Sequence, residues 1–142
     1  MSMIIAALIF VLVLAVGIAH LLWAIGSRWP IRDPELLART VIGRPGVTRV
    51  SRGNALLRGV VALVIALVAP AVADHDAGGI GLTLLGAVIA VALIARGVLG
   101  YTAGWRAAHP VEPFATLDRR NYSPAYVIIG VGFALLVIMR LL

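Results

Sequence analysis

The sequence predicts an all-α protein. It reads as an integral membrane four-helix bundle with N and C termini outside and a short interfacial helix in the first cytoplasmic loop. Three observations predict it. Of the 142 residues, 62% are hydrophobic and 13% charged, far from the balance of ordinary soluble domains. The apolar residues gather in four runs, each near the ~20 helical residues that cross a hydrocarbon core of ~30 Å. No run alternates polar with apolar as a barrel strand does, and in lipid a lone segment satisfies its peptide groups only as a helix. The aliphatic excess excludes a disordered chain. The lack of cysteine excludes a disulfide scaffold, a thiol enzyme and a cysteine zinc site.

The elements follow in order within one transmembrane domain, 1–142, with helices at about 3–26, 54–72, 79–101 and 123–142. The first run carries no charge and ends in His20-Leu-Leu-Trp23-Ala-Ile-Gly26, as a helix reaching an interface does. Without a positive leading region or a small-x-small cleavage site, it reads as a retained helix and not a secretory signal. In the first loop, Asp33-Pro34-Glu35 is a helix start: Asp as N-cap, Pro in the first turn, Glu against the positive end of the dipole. Leu36, Leu37, Val41 and Ile42 form a partial apolar stripe, and Gly43 before Arg44-Pro45-Gly46 ends it. A short helix on the inner leaflet follows, with arginines beside lipid phosphates. The second run contains Arg58, the third Arg96 and the fourth Arg140. In the third loop His109-Pro110-Val-Glu112-Pro113 interrupts any regular helix, and Ser123-Pro124 reads as the cap of the last span.

All cationic side chains are arginine. Every one but Arg140 lies in the first or third loop or just inside a flanking helix, whereas the short second loop has none and carries Asp74 and Asp76. The positive-inside rule then places loops one and three in the cytoplasm. The net charge of +6 is matched to anionic inner-leaflet lipids and not to nucleic acid. A membrane-protein partner or a second copy of the chain is the other expected contact.

Charges within a bilayer are costly, so their depth is informative. Measured from Met3, His20 lies about 26 Å down by helix rise. Arg96 is about 24 Å below Ile80, and Arg58 about 6 Å in from Asn54 at the opposite face. All three fall in the cytoplasmic third, with Tyr122 and Tyr126 at a similar height and Trp23, Tyr101 and Trp105 at the rim. One reading has the arginines snorkelling and the aromatics forming an interfacial belt. The other is a polar pocket lined by His20, Arg58, Arg96 and Tyr122, with Asp118 or Asn54 pairing one arginine. Two converging guanidinium groups would suit an anionic head.

Gly97, Gly100 and Gly104 form a small-residue face, Gly100 to Gly104 being a GxxxG. Asp74-His75-Asp76 reads as a solvated turn, and no metal site is expected. The chain has no Walker loop, HExxH motif, nucleophile elbow or paired intramembrane carboxylates.

His20-x-x-Trp23-Ala24-x-Gly26-x-Arg28-Trp29, with Leu117-Asp118-Arg119-Arg120-Asn-Tyr122-Ser123-Pro124 before the last helix, resembles the two motifs of a family of small bacterial four-helix membrane proteins of unknown function. The resemblance implies a bacterial inner-membrane location and candidate positions, and no reaction. Asp118 near Arg119, Arg120 or Arg28 would pin the third loop to the first. A looser likeness is to small four-helix membrane enzymes that use glutathione, carried by Arg52-Gly-Asn54 and Arg96-x-x-x-x-Tyr101. It implies a transferase or isomerase in which Arg58 or Arg96 stabilises a thiolate, although the glutamate expected after Asn54 is absent.

The first functional expectation is a non-enzymatic protein that binds a lipid-like or amphiphilic anion, or serves as an accessory subunit of a membrane complex. Its candidate ligand-binding residues are His20, Trp23, Asn54, Arg58, Arg96, Asp118 and Tyr122, and it implies no cofactor. The alternative is the glutathione-dependent enzyme.

Overall fold

The computed structural model describes all residues, 1–142, and is helical throughout its ordered elements. Four helices are long and apolar enough to cross a membrane. They are α1 (Ser2–Ala24), α3 (Arg52–Ala73), α4 (Gly79–Leu99) and α7 (Ser123–Leu141), the last continuous with the turns before it. Three shorter pieces sit between them: α2 (Pro34–Val41), α5 (Ala103–Ala108) and α6 (Phe114–Leu117), with a π-turn over Asp118–Tyr122 leading into α7.

Helix α1 packs along α3 and α4 along α7, and the two pairs meet through α7 and the short α3–α4 turn. The main core lies toward the short-turn end. Ala6, Ile9 and Val13 of α1 meet Ala66, Ala69 and Val72 of α3 there, with Phe133 and Leu136 of α7 fully buried between the pairs. The outward faces remain apolar, with Leu8, Leu12, Leu67 and Val88 among the exposed residues, as expected of helices whose surroundings are as apolar as their core. At the opposite, long-loop end a second cluster forms around Trp23, Leu37 and Ala55, so α2 turns its inner face onto the ends of α1 and α3.

Local chemistry sets the boundaries. Helix α1 stops two residues earlier than the sequence suggested because Gly26, at φ 95°, closes it. Ser27 N–H reaches Leu22 O at 2.8 Å and Gly26 N–H reaches Trp23 O at 3.1 Å, the two bonds of a Schellman ending. Asp33 caps α2 as expected, accepting from Glu35 N–H at 2.9 Å. Ser51 opens α3 by accepting from Asn54 N–H.

The last helix departs from the sequence expectation. Ser123 is not its cap; the chain is already helical from Phe114, and Ser123 sits at φ −62°, ψ −46° inside the run. Pro124 is tolerated because it falls in the first turn of α7, after the π-turn has rerouted the hydrogen bonds. The small-residue face is also shorter than the GxxxG reading. A Cβ at Gly97 would lie 2.8 Å from Ser123 O and 2.9 Å from Val127 N, and one at Gly100 would overlap Ser123 Oγ, whereas Gly104 has nothing within 4 Å. Gly97 and Gly100 let α7 approach the end of α4; Gly104 has no part in it.

Gly97→Ala should therefore destabilise the fold by about 1–3 kcal/mol through overpacking of α4 on α7. Gly81→Ala, on the same helix with nothing within 4 Å, should change stability by less than about 0.5 kcal/mol or raise it slightly. Thermal unfolding of the purified variants in detergent, followed by circular dichroism, checks the contrast; equal effects at both positions would refute the close approach.

Candidate functional site

The polar chemistry of the long-loop end is organised around Asp118, whose side chain is 5% exposed. Its Oδ1 accepts from Arg96 Nη2 at 2.8 Å, the one salt bridge of the chain. Its Oδ2 accepts from Trp105 Nε1 at 2.9 Å. Arg96, 23% exposed, also donates to Ser123 Oγ at 3.4 Å. The guanidinium lies 4.1 Å from the Trp105 ring and 4.7 Å from that of Tyr126, near enough for attraction between a cation and an aromatic face.

The π-turn makes this possible. Five residues apart on an α-helix, Asp118 and Ser123 would point about 140° away from each other. The wider i→i+5 turn, in which Ser123 N–H bonds to Asp118 O, brings them back toward one side. Both then face Arg96 at the glycine-lined end of α4.

The network extends into the first loop. The Trp105 ring stacks on His109 at 4.0 Å between centroids, with 21° between the planes. His109 Nδ1 donates to Trp105 O at 3.0 Å, which leaves Nε2 to accept from Arg44 Nε at 3.1 Å. Beside this bond, Val111 N–H reaches Gly43 O at 3.1 Å, Arg39 Nε reaches Glu112 O at 3.1 Å and Tyr122 OH reaches Thr40 O at 3.3 Å. A Cβ at Gly43 would overlap the Phe114 ring, so only glycine fits where the first loop lies against α6.

The residues singled out in the sequence are thus distributed over two places. Arg96, Asp118 and Tyr122 share the network just described. Asp118 does secure the third loop, yet its partner is Arg96 of α4 and not Arg28, Arg119 or Arg120, because Arg96 is the guanidinium that the α4–α7 approach brings to it. His20, Trp23, Asn54 and Arg58 lie on the α1–α3 pair. His20 Nδ1 donates to Val16 O of its own helix at 2.9 Å, and its ring sits 4.8 Å from Trp23. Trp23 is buried and donates from Nε1 to Trp29 O at 2.7 Å, tying the end of α1 to the loop after it. Asn54 and Arg58 are exposed, and Arg58 takes no part in the contacts of Arg96.

Sequence reading missed Arg44, Trp105, His109 and Ser123 as working members. A signal existed for two of them: Trp105 and His109 are four residues apart, one helical turn. At the far end Arg140 was also missed. Its guanidinium donates to the carbonyls of Val72, Asp74 and Ala77 and to Thr83 Oγ1, gathering the α3–α4 turn. In that turn His75 Nε2 faces Met139 O at 3.1 Å and Asp74 Oδ1 accepts from Asp76 N–H.

Between α5 and the π-turn lies a half-open cleft of about 280 Å³. Its lining includes Gly100, Trp105, Arg106, His109, Asp118 and Arg119. Arg106 and Arg119 are exposed, while the carboxylate at the floor is already neutralised by Arg96.

Asp118→Asn should lower stability by on the order of 2 kcal/mol, less than a fully buried broken pair because Arg96 is partly solvated. Combining it with Arg96→Gln should recover part of the loss, since two neutral amides replace an unpaired cation. A single substitution without effect on unfolding would make Arg96 merely a snorkelling residue.

A family model described as "Protein of unknown function (DUF3995)" matches residues 12–133. That range takes in most of the chain and both sequence motifs, and the chain belongs to this family. No curated protein and no solved structure matches it.

Proposed function

We propose that this member of the family is a non-enzymatic, multi-pass membrane protein that holds the anionic head of an amphiphile at its long-loop end. The observation that carries the reading is the cleft between α5 and the π-turn. Two exposed guanidinium groups, Arg106 and Arg119, stand over a floor where Asp118 is already paired with Arg96. The only other carboxylate close by, Glu112, is turned onto Thr116, whose N–H and Oγ1 both bond it. With Asp118 paired, the two exposed guanidinium groups outnumber the one remaining carboxylate and the local field is positive on balance; bidentate arginine contacts suit phosphate or carboxylate oxygens. The volume of about 280 Å³ is at the small end for a ligand site and fits a head group better than a whole lipid. Exposed Leu99 and Tyr101 flank Gly100 and offer apolar surface for a chain lying outside.

The positive-inside rule supports a cytoplasmic placement of this end, and the family resemblance supports a bacterial inner membrane, in which anionic leaflet lipids would be the nearest partners. The same site serves whether the protein acts alone, as a homo-oligomer or as an accessory subunit of a membrane complex, and it calls for no cofactor. A glutathione-type enzyme is less well supported, because the guanidinium of Arg96 is engaged by Asp118, Ser123 and two aromatic rings instead of facing an open thiolate position.

Native mass spectrometry of the detergent-solubilised protein, titrated with short-chain phosphatidic acid or phosphatidylcholine, tests the reading. Retained adducts should favour the anionic lipid. Arg106→Gln/Arg119→Gln should weaken retention by roughly tenfold or more, the loss expected when hydrogen bonds to a charged group are removed. Equal retention of both lipids, or no change in the double variant, would overturn it.

A further inference from the structure

We infer that the Arg44–His109 contact is a proton-sensitive latch: it holds the first loop on α5 while His109 is neutral and lets it go when the imidazole takes up a proton. The inference rests on hydrogen-bond bookkeeping at one ring. His109 is 7% exposed. Both ring nitrogens are occupied, Nδ1 as donor to Trp105 O and Nε2 beside Arg44 Nε at 3.1 Å. A guanidinium only donates, so Nε2 must present a lone pair. The contact exists for the neutral ring alone. Protonation would set one N–H against another and bring two like charges together, with the donor and acceptor nitrogens 3.1 Å apart.

Cations outnumber acids around the ring. From the segment after α2 comes Arg44 itself, and Arg39 of α2 reaches the same seam at Glu112 O. From α5 and the π-turn come Arg106 and Arg119, which share the cleft with His109. From α4 comes Arg96, against the Trp105 ring on which His109 stacks. On the α6 side His109 meets the Phe114 ring, with Tyr122 beyond it. Two carboxylates stand against these five arginines: Asp118 is paired with Arg96, and Glu112, hydrogen-bonded to Thr116, keeps its charge, so the surroundings of the ring stay cationic on balance. What remains across the seam is a backbone bond from Val111 to Gly43, two side-chain bonds to carbonyls and the Phe114 ring against Gly43; of these contacts the Arg44–His109 pair is the one that a proton reverses. Histidine is the side chain whose charge ordinarily changes between about pH 5 and pH 8.

The chain has no cysteine, so Thr48→Cys and Ala107→Cys, both at exposed positions, place one spin label on each side of the seam of the full-length protein. Electron paramagnetic resonance distances, taken at about pH 8 and about pH 5, read the latch. The expected result is a single short distance at the higher pH and a longer population at the lower, its share relative to the short one rising about tenfold or more. His109→Gln, which keeps an uncharged acceptor in place, should stay closed at both. Arg44→Gln, which removes the opposing cation, should also lose the acid-induced opening. An unchanged distribution in the otherwise native protein would overturn the latch. So would acid opening of the same extent in either glutamine variant. If His109→Gln does not fold, the native pH pair and Arg44→Gln still decide.

Discussion

The carboxylate of Asp118 is the constraint on which the long-loop end depends. One oxygen faces a guanidinium and the other an indole N–H, so a single side chain fixes the end of α4, the position of α5 and the start of α7 together. Burying a charge is unfavourable unless it is paired and its remaining lone pairs are satisfied, and both conditions are met here. Everything nearby follows from that pairing. The Trp105 ring, held at its N–H, offers a surface to His109; His109, held by the backbone of α5, offers a lone pair to Arg44. In this way the first loop is joined to a carboxylate that it never touches.

The arrangement also shows how a strongly cationic end remains packed. Arginines dominate it, yet two of them are given different kinds of partner: an acid and two aromatic faces for half-buried Arg96, an imidazole lone pair for Arg44. The others stay at the surface, where water screens them. Apolar packing is lighter here, a cluster around Trp23, Leu37 and Ala55, because the main core sits toward the opposite end, around Phe133 and Leu136. The bundle is thus held chiefly by apolar packing at one end, and at the other by a polar network set beside a smaller apolar cluster and the close approach at Gly97 and Gly100.

Sequence made the spans plain because a run of about 20 apolar residues has one solution in lipid. The Asp33 start of α2 was equally plain, since a capping residue acts on neighbours two and three positions away. What stayed hidden depended on partners distant in the chain. Whether Ser123 caps a helix or lies inside one is settled by a π-turn, and that turn is stabilised by what Asp118 and Ser123 both bond, on a helix more than twenty residues earlier. Counting residues gave depths for His20, Arg58 and Arg96 but carried no information on rotation about each helix axis. Rotation and pairing put the first two on α1–α3 and the third on α4–α7. Arg44 and His109 look like ordinary loop residues until the two loops lie side by side.

The arginine near the other end of the bundle has a consequence for the order of assembly. The carbonyls that Arg140 gathers belong to the end of α3 and the turn after it, 63 to 68 residues earlier in the chain. Those oxygens lie at the close of a span, where the helix itself offers no donors. During synthesis three spans are inserted before the side chain that satisfies them exists. A nascent three-span intermediate therefore carries an unfinished turn that must stay hydrated at the membrane surface, and docking of the fourth span completes it. The hairpin that looks most local in the sequence is the last part of the bundle to be finished.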